Sequence, residues 1–520
     1  MNVATRENAI SKVRQESPPS MTENIGTLFK ANLERKNPAV IDLSDPLQPL
    51  IRSYAELNAR ADGVALALVA AGIAPGDTVG ILSLNRVEFI ESFFGIMRIG
   101  AVPVPVNIKL PSETVRYILT DAATKLNFVD EAAKTLVPRE RINICFDDDY
   151  EVFIKPGAFD AVPVLGSDLC CMPYTSGTTG RPKGVYLTHE GQQWAANTLA
   201  KHRRLTANER ILISAPFFHK NALVAIKTAM LPGASLISLP RFDASQALKA
   251  IHEHKVTMIT GVPTMLYMMM AETDLVESLD LNSVTTVSMG SAPASDSLIK
   301  RILETFPNAE VQFNYGITEG GPLMVGWFHP EGKSRPLGSV GYPLPQCEYR
   351  FEGGCHEKEG ELIVRNPGVA AGYHNLPDAT AEKFQDGWFR TGDILREDED
   401  GWLYFVGRID DMFVCSGENI FPSEVVLLLE RHPEIVQAVV VPFDDERRGQ
   451  VPVAFVKRAP KAVVDEEAVK QYALAEGPAY AHPRRVIFVE EFPLSGTNKI
   501  DETALRRLAG NEGERVNGGQ

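Results

Sequence analysis

The chain has 520 residues, a formal net charge of −15, 44% hydrophobic residues and 23% charged residues. That length exceeds what one hydrophobic core serves and predicts two or more domains, with the composition of a globular protein. The acidic balance argues against a surface for nucleic acid or anionic membrane, and no apolar run reaches the ~18 residues of a membrane span.

Residues 1–20 are polar, carry Ser17-Pro18-Pro19-Ser20 and lack the apolar stretch of a secretory signal. They read as a flexible extension, with Met21 as an alternative start. A helix is predicted over 54–72, ending at Gly72, then a short strand over 79–84. A second helix over 86–99, closed by Gly100, leads to a strand over 101–106. This βαβ unit implies a parallel sheet covered by helices. The alternation continues through strands at 212–215, 235–239, 257–260, 285–289 and 311–314. Residues 222–240 come nearest to a membrane span, but Lys227, Pro232 and Gly233 interrupt them.

The fold class is therefore α/β, doubly wound to about residue 330, with a β-rich subdomain over 331–408. In that subdomain glycine and proline are dense, and strands at 360–364 and 402–406 are short. Residues 21–408 form one large unit, 409–411 a hinge, and 412–520 a small α+β unit. The small unit has helices at 423–431 and 465–475, and strands at 436–441, 451–457 and 485–489. The tail Asn517-Gly518-Gly519-Gln520 is not a peroxisomal address. The six cysteines form no Cys-x-x-Cys pair and read as reduced thiols in a cytoplasmic protein, with Cys170-Cys171 packed in an apolar strand.

Residues 174–185 read Tyr-Thr-Ser-Gly-Thr-Thr-Gly-Arg-Pro-Lys-Gly-Val. Glycines let backbone N–H groups approach an anion, hydroxyls add donors, and Lys183 adds a mobile cation suited to a polyphosphate. This is not a Walker A loop, because Pro182 precedes the lysine and Gly184 follows it. Residues 313–319, Phe-Asn-Tyr-Gly-Ile-Thr-Glu, stand at a strand end, where parallel sheets bind ligands. There Tyr315 can stack on a purine, Thr318 can donate to a phosphate and Glu319 can hold a hard cation. Residues 288–293, Ser-Met-Gly-Ser-Ala-Pro, make a second strand-to-loop turn of small residues. Asp393, in Trp-Phe-Arg-Thr-Gly-Asp, can accept from both ribose hydroxyls.

Together these motifs resemble the adenylate-forming superfamily, which includes acyl-CoA synthetases, luciferases and the adenylation domains of peptide synthetases. The likeness runs from about residue 25 to about residue 505, and residues 416–422, Ser-Gly-Glu-Asn-Ile-Phe-Pro, are most similar to acyl-CoA synthetases. The resemblance implies an ATP site made of Thr175, Ser176, Gly177, Thr178, Thr179, Gly180, Lys183, Ser291, Ala292, Pro293, Asn314, Tyr315, Gly316, Thr318, Asp393, Arg408 and Lys499. Glu319 is implied as the Mg²⁺ ligand and Asp410 as the hinge about which the small unit turns. Lys499, Thr318, Lys183 and His219 are implied as catalytic, although Asn498 stands where the family has glycine before its lysine.

For the acid, the resemblance points to His219, Lys220, Asn221, Met265, Gly290, Gly316, Gly321 and Met324. Lys220 is expected to face solvent, the alternative being that it greets a second carboxylate or polar substituent. Arg241, Ser416 and Gly417 are implied as CoA contacts. The expected activity is AMP-forming acid–CoA ligation using ATP, Mg²⁺ and CoA, by default on an aromatic or medium-chain monocarboxylate. A homodimer is compatible with the resemblance. Rival readings are adenylation for another acceptor, as in luciferases, carrier-protein enzymes or fatty-acyl-AMP ligases, and a non-catalytic nucleotide-binding protein.

Overall fold

The structure is a computed structural model that describes residues 21–517 except 176–180, 291–293, 322, 355–356, 446 and 496–498. The expected extension over 1–20 lies outside the described residues. The first long helix, Tyr54–Ala70, starts at a reciprocal cap in which Ser53 Oγ accepts from Glu56 N and the Glu56 carboxylate accepts from Ser53 N. It ends at Gly72, whose φ of +81° suits a residue without Cβ. Its inner face lies against the helix Val87–Arg98 at Gly95, where a Cβ would come within 2.7 Å of Val64 Cβ. Only glycine permits that approach.

The helix Val87–Arg98 also packs on a parallel sheet in the order Val102–Pro105, Thr78–Leu82, Leu126–Val129, Ile142–Cys145. The last two strands carry no clear alternation in sequence. They are joined through Asn127 and Asn143, whose amides hydrogen-bond at 2.9 Å.

The second sheet has seven strands in the order Glu310–Asn314, Thr286–Gly290, Met258–Gly261, Arg210–Ile213, Ser235–Ser238, Val40–Asp42, Leu50–Arg52. All pairs are parallel except the last. From Arg210–Ile213 the chain goes first to one neighbour and later returns to the other, so the crevice at its carboxyl end is a topological switch point. The chain leaving that end carries His219 and then the helix Lys220–Met230. Residues 222–240, the most apolar stretch, thus become part of that helix and the buried strand Ser235–Ser238. No described helix is long and apolar enough to cross a membrane.

The glycine-rich stretch forms an antiparallel sheet of Glu348–Glu352, Glu359–Arg365, Trp388–Glu397, Phe384–Gln385 and Leu403–Arg408. After Arg408 the chain enters a unit with a five-stranded sheet built on the hairpin Ile435–Asp445 and Gly449–Arg458. The helices Pro422–Leu429, Glu466–Glu476 and Glu502–Asn517 accompany it. It has its own apolar core, including Phe413, Val425, Leu429, Ala454, Val469 and Ala473. Among the described residues Cys145, Cys170, Cys171, Cys347 and Cys415 are free thiols, and Cys170 and Cys171 are fully buried as expected.

Candidate functional site

Tyr315 and Asp393 form one wall of the crevice. Tyr315 follows the strand Glu310–Asn314 and is held by paired backbone bonds with Val325 at 3.0 and 3.1 Å. Its buried hydroxyl donates to Asp393 Oδ2 at 2.7 Å. Asp393 is 2% exposed, and burial raises its pKa against the pull of the Arg408 guanidinium, 3.5 Å from Oδ1, and of the Tyr315 hydroxyl. Oδ1 accepts no hydrogen bond among the described residues. A buried carboxylate with a spare acceptor beside a half-exposed arginine suits a vicinal diol. Asn314 is buried next to this wall, donating to Ser288 Oγ at 3.2 Å. A Cβ on Gly290 would stand 2.6 Å from the Asn314 carbonyl, so the turn after Thr286–Gly290 needs its small residue.

The phosphate side is built on a short antiparallel pairing of Tyr174–Thr175 with Lys183–Gly184. Thr175 Oγ1 donates to Glu319 Oε1 at 3.0 Å, and the Tyr373 hydroxyl donates to the same oxygen at 3.5 Å. Lys183 Nζ sits 5.3 Å from the centre of the Tyr373 ring. Tyr373 therefore ties Lys183 to Glu319. Sequence reasoning missed it, and Gly372-Tyr373 carries no signal that would separate it from an ordinary strand end. Residues Ser176, Gly177, Thr178, Thr179 and Gly180, and Ser291, Ala292 and Pro293, lie outside the described residues. Glu319 stands apart from any cluster of several metal-ligating groups among the described residues. A lone carboxylate with one oxygen engaged suits Mg²⁺, which binds through one or two carboxylates plus substrate phosphates, and not a cation needing an all-protein cage.

The third side collects the cations. His219 caps the helix Lys220–Met230 with Nδ1 accepting from Asn221 N at 3.4 Å. Burial and the charges of Lys499 and Lys220 hold its ring neutral, with a pKa lowered to about 3. Lys220 does not face solvent as expected. It is 8% exposed, and burial lowers its pKa to about 7, with Glu319 and Asp393 opposing and Lys499 adding to the effect. The reason is packing: at the first turn of a helix beneath the switch point, this position points toward the helix His189–His202 and away from water.

Lys499 comes from the small unit. Burial and the Arg408 charge lower its pKa while Asp393 raises it. Its loop therefore reaches the same crevice, braced by Ser495 N to Lys499 O at 2.7 Å and Asp501 N to Pro493 O at 2.8 Å. Thr318 is half-buried beside Lys220.

Of the remaining acid-pocket candidates, Gly321 has φ of +98° and a Cβ there would press on Asn366 Oδ1 at 2.8 Å. Met324 is fully buried over Gly320, Met265 is 3% exposed beside Gly261, and Gly316 is half-buried after Tyr315. The expected CoA contacts lie elsewhere. Arg241 is exposed in a separate cleft with Lys109 and Phe218. Ser416 and Gly417, at φ +53° and +91°, form an exposed two-residue turn between Phe413–Cys415 and Glu418–Ile420. Asp410 sits in the connection, where Ile409 N bonds Gly392 O at 2.9 Å. Lys227 and Gln192, which the sequence did not single out, are buried beside Lys220. The available signal was the spacing of Lys220 and Lys227, seven residues apart on one helix face.

Residues 30–374 match a family described as AMP-binding enzyme, and residues 427–499 match the AMP-binding enzyme C-terminal domain. The chain belongs to the AMP-binding enzyme family. Among its members, a long-chain-fatty-acid–CoA ligase of Mycobacterium tuberculosis is 32% identical over 93% of this chain and 98% of its own. A feruloyl-CoA synthase of an Amycolatopsis species is 34% identical over 88% of this chain and 94% of its own. A crystal structure of an anthranilate CoA ligase with anthranoyl-AMP superposes with a TM-score of 0.86 at 25% identity, covering 94% of this chain and 98% of the other.

Proposed function

We propose that this AMP-binding enzyme is an acid–thiol ligase that joins a carboxylic acid to CoA at the expense of ATP, through an acyl-adenylate. The family membership and the near full-length likeness to CoA ligases support the reaction class. The observation that carries the reading is the convergence of Lys499, from the small unit, on the Asp393–Arg408 pair and His219 of the large unit.

In the first step a carboxylate oxygen bonds to the α-phosphorus of ATP and the bond to diphosphate breaks. Two anions must meet, so catalysis is chiefly placement and charge neutralisation. In this reading Lys499 holds both the carboxylate and the α-phosphate, with Thr318 donating; its closeness to Arg408 and Asp393 supports the assignment. Lys183 and Thr175, paired across the same short hairpin, are assigned to the outer phosphates. Asp393 and Arg408 hold the ribose, and Tyr315 fixes the Asp393 carboxylate. A divalent cation at Glu319 would neutralise phosphate charge when bound. Neutral His219 can donate to the acid's carboxylate without adding a further cation. In the second step the CoA sulfur bonds to the acyl carbon and AMP leaves. For that step we assign Asp410 as the hinge and Arg241, Ser416 and Gly417 as CoA contacts. Rotation about the hinge would carry Lys499 away and admit the thiol. The same reading includes Mg²⁺, a cytoplasmic setting, and acids of the fatty or aromatic kind named for the relatives.

The deciding experiment is pyrophosphate release with MgATP across a panel of carboxylates, with and without CoA. Acid-dependent release that rises with CoA and yields an acyl-CoA is expected. Acid-dependent release indifferent to CoA would instead favour transfer to another acceptor, and silence with ATP still bound would favour a non-catalytic protein.

A further inference from the structure

A small cavity opens from Thr318 and runs between the helices His189–His202 and Lys220–Met230. In this structure it is narrow, with a volume of about 10 Å³, room for about one water, so an entering group must displace its side chains. Leu187, Leu223 and Val224 make its walls apolar. Its polar groups are nearly all donors. Lys220, Lys227 and Gln192 line it at 8%, 3% and 1% exposure. Lys220 makes no hydrogen bond or ion pair among the described residues.

Lys227 Nζ donates to Gln192 Oε1 at 2.5 Å, which turns the Gln192 amide so that Nε2 becomes its free end. Nε2 then has no acceptor among the described residues. No carboxylate lines the cavity. The neighbouring Cys170 thiol, pushed up to about 12 by burial, stays uncharged and gives Lys227 no counter-charge. Glu319 and Asp393 act on Lys220 only from outside the lining, and burying an ammonium with no acid in contact is unfavourable. A cavity lined by two buried lysine amines, with a spare amide donor, is therefore complementary to an anion from outside the chain that would hold them protonated.

We infer that this cavity receives the second acidic group of a compact dicarboxylic acid, whose first carboxylate is activated beside Thr318 and Lys499. The inference rests on the ligase reading and replaces its default of a fatty or aromatic acid with a compact diacid. A phosphate of ATP is the weaker occupant, because the walls between the donors are apolar and suit methylene or ring carbons. Lys183 and Thr175 on the phosphate side do not line the cavity. Lys220 and Lys227 lie seven residues apart on one helix face, so both can address an acid that enters from Thr318.

The test measures pyrophosphate release for acids matched in size: succinate against butyrate, glutarate against valerate, adipate against hexanoate, and phthalate against benzoate. Wild type is compared with Lys220→Met and Lys227→Met, which keep side-chain length without charge. The best acid is expected to be a diacid. Losing one charge-assisted contact should cut its advantage in kcat/KM over the matched monoacid by about 10- to 100-fold in Lys220→Met. Preference for the monoacid in every pair, or an unchanged ratio in a variant that melts like wild type, would overturn the inference.

Equal loss on both acids of a pair would also overturn it, since Lys220 would then serve the reacting carboxylate or a phosphate. If Lys220→Met does not fold, the diacid preference of wild type and the ratio in Lys227→Met decide. Silence with every acid would count against the ligase reading. Titration calorimetry of glutarate against valerate, with a non-hydrolysable ATP analogue present, then decides the cavity. Tighter glutarate binding that is lost in Lys220→Met supports it, and equal binding of the two acids overturns it.

Discussion

Two polar pockets meet at Thr318, and they handle buried charge in opposite ways. Around Asp393 the chain supplies both signs: a carboxylate, the Arg408 guanidinium at 3.5 Å and a phenol donating at 2.7 Å. Between the helices His189–His202 and Lys220–Met230 it supplies mostly donors, with Gln192 Oε1 the acceptor already taken by Lys227. The first arrangement is largely satisfied within the folded chain and offers a single spare oxygen. The second is unsatisfied until something enters. On the proposed reading, a pocket of the first kind orients the nucleotide and one of the second kind selects among acids by charge.

The comparison breaks first at Lys499, the cation delivered by the small unit. Lys499→Ala should slow pyrophosphate release by about 10²- to 10³-fold, the range for removing one stabilising donor from a reaction centre. Thioester formation from synthetic acyl-adenylate should be largely spared, as single-turnover kinetics would show. Equal damage to both steps would mean that Lys499 supports the fold of the site and not the first step.

Next in size is Asp393→Asn, which keeps the shape but removes the charge. Losing a charge-assisted bond to the ribose should raise KM for ATP by about 10- to 100-fold. The diacid-to-monoacid ratio should hold. A shift in that ratio would show that the two pockets are coupled.

Glu430 extends the comparison to an acid with neutral partners only. It belongs to the small unit and accepts from Ala438 N at 3.0 Å and from Tyr267, on the large unit's helix Pro263–Ala271, at 3.4 Å. Burial raises its pKa to about 6 from an ordinary 4.5. The docked form thus holds the proton more tightly than the free carboxyl. Its favourable contribution is complete below pH ~4.5 and is lost as pH rises through ~6, a change of about 2 kcal/mol. Fluorescence distances between labels on the two units should report weaker docking across that window, and Glu430→Gln should flatten the profile. An unaltered slope in Glu430→Gln would place the effect on another group.

The smallest effect is expected from Lys227→Met in the empty protein. Replacing an ammonium whose partners are one amide and the Phe93 ring with an apolar side chain should leave stability unchanged or raise it by about 1 kcal/mol in denaturant unfolding. A large loss would mean that Lys227 is a structural group and not a receptor.

Much of the nucleotide side was legible in the sequence, because its chemistry sits in contiguous motifs at strand ends. Tyr315, Thr318 and Glu319 share one turn, and Thr175 and Lys183 flank one loop. The strand–helix alternation was legible too, as were the change of texture after residue 330 and the small unit's helices Pro422–Leu429 and Glu466–Glu476, though not Glu502–Asn517. The donor cavity was not. It joins Gln192 on one helix to Lys220 and Lys227 on another, and only the packing of the two helices decides which face of each meets the other. Lys227 read as a break in an apolar run, and Lys220 as a solvated charge. A helix start gives no clue to direction when the neighbouring helix is thirty residues away in the chain. Strands Leu126–Val129 and Ile142–Cys145 escaped for a similar reason, since each is short and has an asparagine facing its neighbour in place of an apolar alternation.

The helix Lys220–Met230 carries the cavity's two ammonium groups, whereas Tyr315, Glu319, Lys183, Asp393 and Lys499 all lie on other elements. On the inference drawn above, recognition of the second acidic group and nucleotide handling are written on separate pieces of chain. A few exchanges along one face of one helix could retune the enzyme to a new acid while the nucleotide machinery stays as it is. That makes this helix the natural place for divergence after gene duplication, and for a laboratory library of modest size.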